Sequence, residues 1–135
     1  MKLFIDTGAF VAREIQRDQH HPEALAGWAR LAERPEALYT SEHCMDETAT
    51  LLARRTNYAF ASGWGTDLLA SGITILQAQP EDWTYALRLM RKFADQGVSF
   101  TDCVSFSLMK SHRIRSVFGF DHHFTTAGFN LWRYD

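Results

Sequence analysis

Residues 3 to 8 read LFIDTG, and the junction at Asp6 decides how the chain folds. Leu3-Phe4-Ile5 is a short apolar run of the kind that fills a buried strand, and a carboxylate follows it with no spacer. In parallel sheets covered by helices on both faces, ligands sit beyond the carboxyl ends of the strands. Asp6 is therefore either a turn or helix-capping residue, roles for which Asp is well suited, or one wall of a site.

Working outward, turn signals cut the sequence into alternating strands and helices. The pattern predicts a helix from Gly8 to about Arg17 and another from Pro22 to about Glu33, with Leu25, Trp28, Leu31 and Ala32 on one side. A short strand ALYT (Ala37–Thr40) follows, and Ser41 caps a helix to about Arg55. Tyr58 to about Ser71 reads as helix despite Gly63 and Gly65, and ITIL (Ile73–Leu76) as strand. Pro80 opens a helix whose apolar stripe is Trp83, Leu87, Met90 and Phe93, and a further helix runs from about Thr101 to His112. SVFGF (Ser116–Phe120) is a strand ending at Asp121, and NLWRY is an edge-strand candidate. Strands separated by helices predict an α/β sandwich around a mainly parallel sheet.

The length of 135 residues suits one core, so a single domain over 1–135 is expected. Hydrophobic residues at 46% and charged residues at 22% exclude disordered and fibrous classes. No apolar run has the length of a membrane span or the flanks of a signal peptide, so the expectation is a cytoplasmic protein without membrane contact. Cys44 and Cys103 are too few for a disulfide framework and read as reduced, buried thiols. Fourteen Lys and Arg against sixteen Asp and Glu give a net charge of −2, which offers no global case for nucleic acid; any basic surface is local.

Four acids sit where a core would not choose them. Asp6 and Asp121 each follow a strand. Glu47 interrupts the face made by Cys44, Thr48 and Leu51, whereas its neighbour Asp46 projects about 100° away. Glu47 is open to two readings, a salt bridge to a nearby Arg or a site residue. Asp102 opens its helix, where Ser99-Phe-Thr-Asp also fits a capping box. Converging at one sheet edge, four carboxylates repel and take up protons unless a cation lies among them. All-oxygen ligands select a hard ion, Mg²⁺ or Mn²⁺, able to activate water and neutralise charge on a phosphate.

Taken in order, LFIDTGAFVA, DQHHPEA, TSEHCMDETATLL, SFTDCVSFSLMKSHRI and VFGFDHHFTTAGF resemble the PIN-domain ribonucleases, especially the VapC-like toxins of bacterial toxin–antitoxin pairs. The resemblance spans nearly the whole chain. It implies a PIN-like three-layer α/β/α sandwich, Mg²⁺ or Mn²⁺, endonucleolytic cleavage of RNA, a small antitoxin partner and homodimerisation. The family's acidic quartet falls on Asp6, Glu47, Asp102 and Asp121, as catalytic and metal-binding residues. Thr7 and Thr101 fall where a hydroxyl commonly supports the first and third acids.

Other features have plainer readings. Adjacent His122 and His123 are expected to point apart, in structural or substrate-contacting roles, and His20 and His21 to serve the surface or a helix start. The four tryptophans read as core or interface, and Tyr58 to Trp64 as a surface for a second copy or the antitoxin. Arg54, Arg55, Arg88, Arg91, Lys92, Lys110, Arg113 and Arg115 are the candidate phosphate contacts, although cations on helix faces are ordinarily just solvated. A response-regulator receiver needs an acidic pair by the first strand, and a haloacid-dehalogenase-type phosphatase needs Asp-x-Asp; the chain reads Asp6-Thr-Gly. A PIN-fold module that binds RNA or a partner without cutting, and a nuclease acting on DNA, are the alternatives.

Overall fold

Alternation along the first strand sets the layers. β1 (Lys2–Ile5) turns Leu3 and Ile5 to one face of the sheet and Phe4 to the other, all fully buried, so both faces are covered. The computed structural model describes residues 1–133; Tyr134, which falls in the expected NLWRY strand, and Asp135 lie outside the described residues. Beside β1 lie β2 (Ala37–Ser41) and β4 (Ser116–Phe118), with β3 (Thr74–Leu76) and β5 (Asn130–Leu131) at the edges. The order is β3-β2-β1-β4-β5, and every pairing is parallel.

The helices form the outer layers of this α/β/α sandwich. Leu3, Ile5 and Phe118 pack with α1 (Thr7–Glu14), α2 (His21–Glu33) and α4 (Tyr58–Ala70). Phe4 and Val117 pack with α5 (Pro80–Lys92), α6 (Phe100–Ser111) and α7 (His123–Thr126), joined by Cys44 of α3 (Glu42–Arg55). Residues 103 to 109 of α6 are all buried, which marks it as a central helix. On the other face Gly27 of α2 lets the helix lie directly on Phe118, because a Cβ there would meet the ring at 2.5 Å. Fully burying a ring of that size contributes ~2–3 kcal/mol.

Two expectations about helix faces need correction. The stripe Trp83, Leu87 and Met90 is 46%, 55% and 37% exposed; α5 instead buries Asp82, Ala86 and Leu89, and Phe93 just beyond it. Asp82 can face inward because its carboxylate accepts from the Ser107 hydroxyl at 2.7 Å and from the Gln79 N–H at 2.8 Å. In α2 the buried residues are Ala24, Gly27 and Leu31, and Leu25 is exposed. The strand expected over Ser116–Phe120 stops at Phe118, where Gly119 turns the chain. Both cysteines are free and buried, as expected.

Candidate active site

Strand order locates the site. From β1 the chain proceeds one way to β2 and β3, whereas β4 and β5 lie on the other side, so the order reverses between β1 and β4. Such a switch point opens a crevice at the carboxyl ends of the strands. Asp6 follows β1 there, and Asp121 lies three residues beyond the end of β4. The Asp6 N–H donates to the Phe118 carbonyl at 3.0 Å, which carries the β1–β4 pairing up to the acid itself. Gly119 then passes so close that a Cβ would stand 2.9 Å from that of Asp6.

A cleft of about 450 Å³ at this point is lined by Asp6, Glu47, Asp102 and Asp121, with Asp18 as a fifth acid. Thr7, Ser99, His20, Phe120 and His123 share its walls, and no Lys or Arg does. Thr101 is half-buried in the first turn of α6 and is not part of the lining. Each acid arrives by a local device. Asp6 holds the N-cap position of α1 without a side-chain cap bond, so capping does not account for it. Ser99 caps α6 by accepting from the Asp102 N–H at 3.1 Å. The Ser99 N–H makes no return bond to the Asp102 carboxylate among the described residues, and that carboxylate lines the cleft. Glu47 is exposed and makes no ion pair among the described residues, contrary to the salt-bridge reading.

Electrostatics confirm how crowded these groups are. Burial, then Asp102, with Glu47 and Asp121 adding to them, pushes Asp6 up to about 7, against the pull of the Thr7 backbone N–H. Asp102 is also pushed up to about 7, by burial and then by Asp121. Burial first and Asp6 second push Cys44 up to about 12, so the thiol keeps its proton and donates it towards Asp6 Oδ1 at 3.7 Å.

His122 and His123 do not point apart as expected; their ring centroids are 4.4 Å from each other. The His123 N–H donates to Asp121 Oδ1 at 2.9 Å, and its ring Nδ1 lies 3.1 Å from the same oxygen and 3.7 Å from Asp102 Oδ2. Ring Nε2 sits 3.1 Å from the Gln96 carbonyl, which can only accept. Ring Nδ1 is buried between two carboxylates without a hydrogen-bond partner. One ligand atom each from Asp121, His122 and His123 falls within 4.8 Å of the others, so the cluster can coordinate a divalent ion. The donor chemistry fits: crowded acids, no Lys or Arg in the walls among the described residues, and a Thr7 hydroxyl buried without a hydrogen-bond partner.

The sequence places His20 only at the surface or a helix start. Its ring stacks on Phe120 at 4.3 Å between centroids and 6° between planes, at the cleft wall. The two lie 100 positions apart, so only the fold reveals the pair. Asp18, likewise not foreseen, accepts from the His20 N–H at 2.8 Å.

This combination of sheet, switch-point cleft and acidic lining is that of a nuclease-like α/β domain, and the PIN domain model matches residues 3–130. The chain belongs to the PIN-domain family. It is 28% identical over 127 residues to the 23S rRNA-specific endonuclease VapC20 of Mycobacterium tuberculosis, covering 94% of this chain and 95% of that protein. A VapC ribonuclease of Archaeoglobus fulgidus is 27% identical over 140 residues, covering 98% and 86%. The crystal structure of the M. tuberculosis protein, described as a Sarcin-Ricin loop cleaving toxin, superimposes with a TM-score of 0.84 over 94% of this chain and 95% of that one. VapBC2 from Rickettsia felis, bound to a promoter DNA fragment, shares the fold with a TM-score of 0.71 over 100% of both chains at 14% identity. Within that family the relatives it resembles are VapC ribonucleases, one of them described as a toxin.

Proposed function

We propose that the chain cuts RNA endonucleolytically as the toxin of a toxin–antitoxin pair, through a Mg²⁺ or Mn²⁺ site built by Asp6, Asp102 and Asp121. Glu47 either completes that site or accepts the proton of the attacking water. The observation that carries this reading is the cleft itself: five acids, two of them pushed up to about 7, and no Lys or Arg in the walls among the described residues. When bound, the ion supplies Lewis acidity towards a phosphoryl oxygen and lowers the proton affinity of water.

The chain's own residues do the rest. The backbone of Asp6 is fixed by the β1–β4 pairing. Asp121 is oriented by the His123 N–H, and Asp102 by the capped first turn of α6. Thr7 supports Asp6 from the next position, and Thr101, outside the lining, acts at most through the backbone turn that carries Asp102. Glu47 keeps the exposure that a proton acceptor exchanging with solvent requires. Water attacks phosphorus in line and the P–O3′ bond breaks. The new bond leaves a 5′-phosphate, and the departing oxygen takes a proton to become a 3′-hydroxyl.

A small antitoxin and a second copy of the chain are the proposed partners. Tyr58 and Phe60 are 84% and 42% exposed and remain in the proposed contact surface, whereas Trp64 packs edge-on against Phe10 and leaves it. Unchanged sedimentation of a Tyr58→Ser, Phe60→Ser protein would remove the dimer contact from this surface. No helix among the described residues is long and apolar enough to cross a membrane.

The function is tested by incubating total RNA and single-stranded DNA with wild type and Asp6→Asn, each with Mg²⁺, Mn²⁺ or EDTA. Metal-dependent cutting of RNA that disappears in the variant is expected. A folded Asp6→Asn protein that cuts at the wild-type rate refutes the assignment, and cutting of DNA alone moves it to the other sugar.

A further inference from the structure

A second cavity of about 450 Å³ opens away from the acids, between α5, α6 and the segment leading into β4. Its floor is apolar: Phe106, Met109 and Ile114 are almost fully buried beneath it, and the Tyr85 and Phe129 rings stand in its walls. Its rim carries four cations, Lys92, Lys110, Arg113 and Arg115, and no acid lines it among the described residues. None of the four makes an ion pair among the described residues. Lys110 lies over the Tyr85 ring at 4.9 Å, with Nζ 3.3 Å from its hydroxyl, and Lys92 over Phe93 at 5.4 Å.

Arg113 is the most telling of them. It stands just past the end of α6 in the left-handed region, φ 57°, where the Ile114 N–H returns to the Met109 carbonyl at 2.8 Å. Glycine is the residue that fits such a helix end, and a side chain there costs about 1–2 kcal/mol. Among the described residues it is the only non-glycine with positive φ. A cation after a helix C-terminus is favoured by the helix dipole, but that accounts for one charge and not for four around one hollow.

We infer that this pocket takes a nucleobase of single-stranded RNA on its aromatic and apolar floor, with the neighbouring phosphates on Lys110, Arg113 and Arg115. The chemistry is complementary: a flat ring flanked by anions meets a hydrophobic hollow rimmed by cations without ion-pair partners, as single-strand sites combine stacking with backbone charge. The inference rests on the RNA substrate proposed above and adds a second point of hold on it. Six steps of chain separate Arg115 from Asp121, so the pocket lies at most about 20 Å along β4 from the acids. An RNA held at both points presents its backbone to the cleft a few nucleotides from the held base.

The test measures binding of a short labelled single-stranded RNA in EDTA, where metal-dependent cutting is off. Wild type is compared with Arg113→Gly and with Lys110→Gln/Arg115→Gln. Arg113→Gly is expected to keep or raise Tm, since glycine suits that φ, while RNA binding weakens roughly tenfold, the size of one charge-assisted hydrogen bond. Removing one cation that neutralises a phosphate also flattens the slope of log K against log salt by ~0.7. Backbone amide shifts on adding RNA are expected at residues 109 to 115. Wild-type affinity and salt slope in both variants, shifts confined to the acidic cleft, or capture of an Asp- and Glu-rich peptide in preference to the RNA would each overturn the inference. The two readings fail separately: wild type that binds through the pocket yet never cuts with Mg²⁺ or Mn²⁺ removes the nuclease alone, and variants that bind and cut as wild type remove the pocket alone.

Discussion

Replacing Asp6 by Asn should end cleavage and at the same time strengthen the metal-free fold. In the unfolded chain Asp6 ionises near 3.8, and in the fold at about 7. Between those values the fold keeps a proton that the unfolded chain has released. Stability therefore falls as pH rises from about 4 to about 7, and below about 4 both states are protonated and Asp6 contributes nothing. At ~1.4 kcal/mol for each tenfold step in proton affinity, the ionised carboxylate costs the fold at most ~4 kcal/mol above pH 7. Asp102 competes for the same protons, so about half of that ceiling, ~2 kcal/mol, is expected on removing the charge. For a chain of this length that raises Tm by roughly 8 °C. Thermal unfolding followed by circular dichroism in EDTA, at about pH 4 and about pH 8, reads the difference. Asn is the right size to fill the protonated acid's place, so the gain should appear at the higher pH and vanish at the lower. Mg²⁺ or Mn²⁺ should raise Tm of wild type at the higher pH and do little for the variant. An Asn variant no more stable than wild type above pH 7, or stabilised equally at both pH values, would refute the reasoning.

Three further substitutions probe how the site is held. Gly119→Ala places a Cβ 2.9 Å from that of Asp6, so the acid must shift; kcat is expected to fall at least tenfold in protein whose far-ultraviolet spectrum matches wild type. Gly27→Ala drives a methyl to 2.5 Å from the Phe118 ring, and urea denaturation should show a loss of ~1–3 kcal/mol. Ser107→Ala removes the hydroxyl that satisfies buried Asp82 and should cost ~1–3 kcal/mol in the same assay, with kcat unchanged because neither residue touches the cleft.

The strands and helices were legible wherever local chemistry was unambiguous. Ser41 reads as a cap and accepts from the Cys44 N–H; Pro80 reads as a first turn and opens α5. The side of a helix that faces the core was less legible. In α5 the largest apolar residues define one stripe, yet the buried residues are Asp82, Ala86 and Leu89, and Asp82 is satisfied there by the Ser107 hydroxyl of α6 and the N–H of its own N-cap residue Gln79. Asp82 and Glu47 look alike in sequence, each an acid on an otherwise apolar face. One is buried and satisfied; the other is exposed at the cleft with no ion pair among the described residues. Partners brought from distant segments decide the difference, and for the same reason the His20–Phe120 stack and the place of His123 between two acids follow only from the fold.

Net charge concealed the arrangement most relevant to an RNA substrate. A value of −2 averages over two opposite ends of one sheet. Among the described residues, five acids line a cleft without a Lys or Arg at the carboxyl ends of β1 and β4; ahead of β4, four cations rim a hollow without an acid. Charges farther apart than the Debye length of ~8 Å at physiological salt are largely screened, so each end acts chiefly on its own neighbourhood. A polyanion approaching the acidic end alone meets repulsion until a divalent ion is present. Approaching the basic end it meets attraction that needs no ion. The chain therefore has reason to hold RNA at one end of β4 and cut it at the other, and the salt dependence of binding in EDTA should report the basic end almost exclusively.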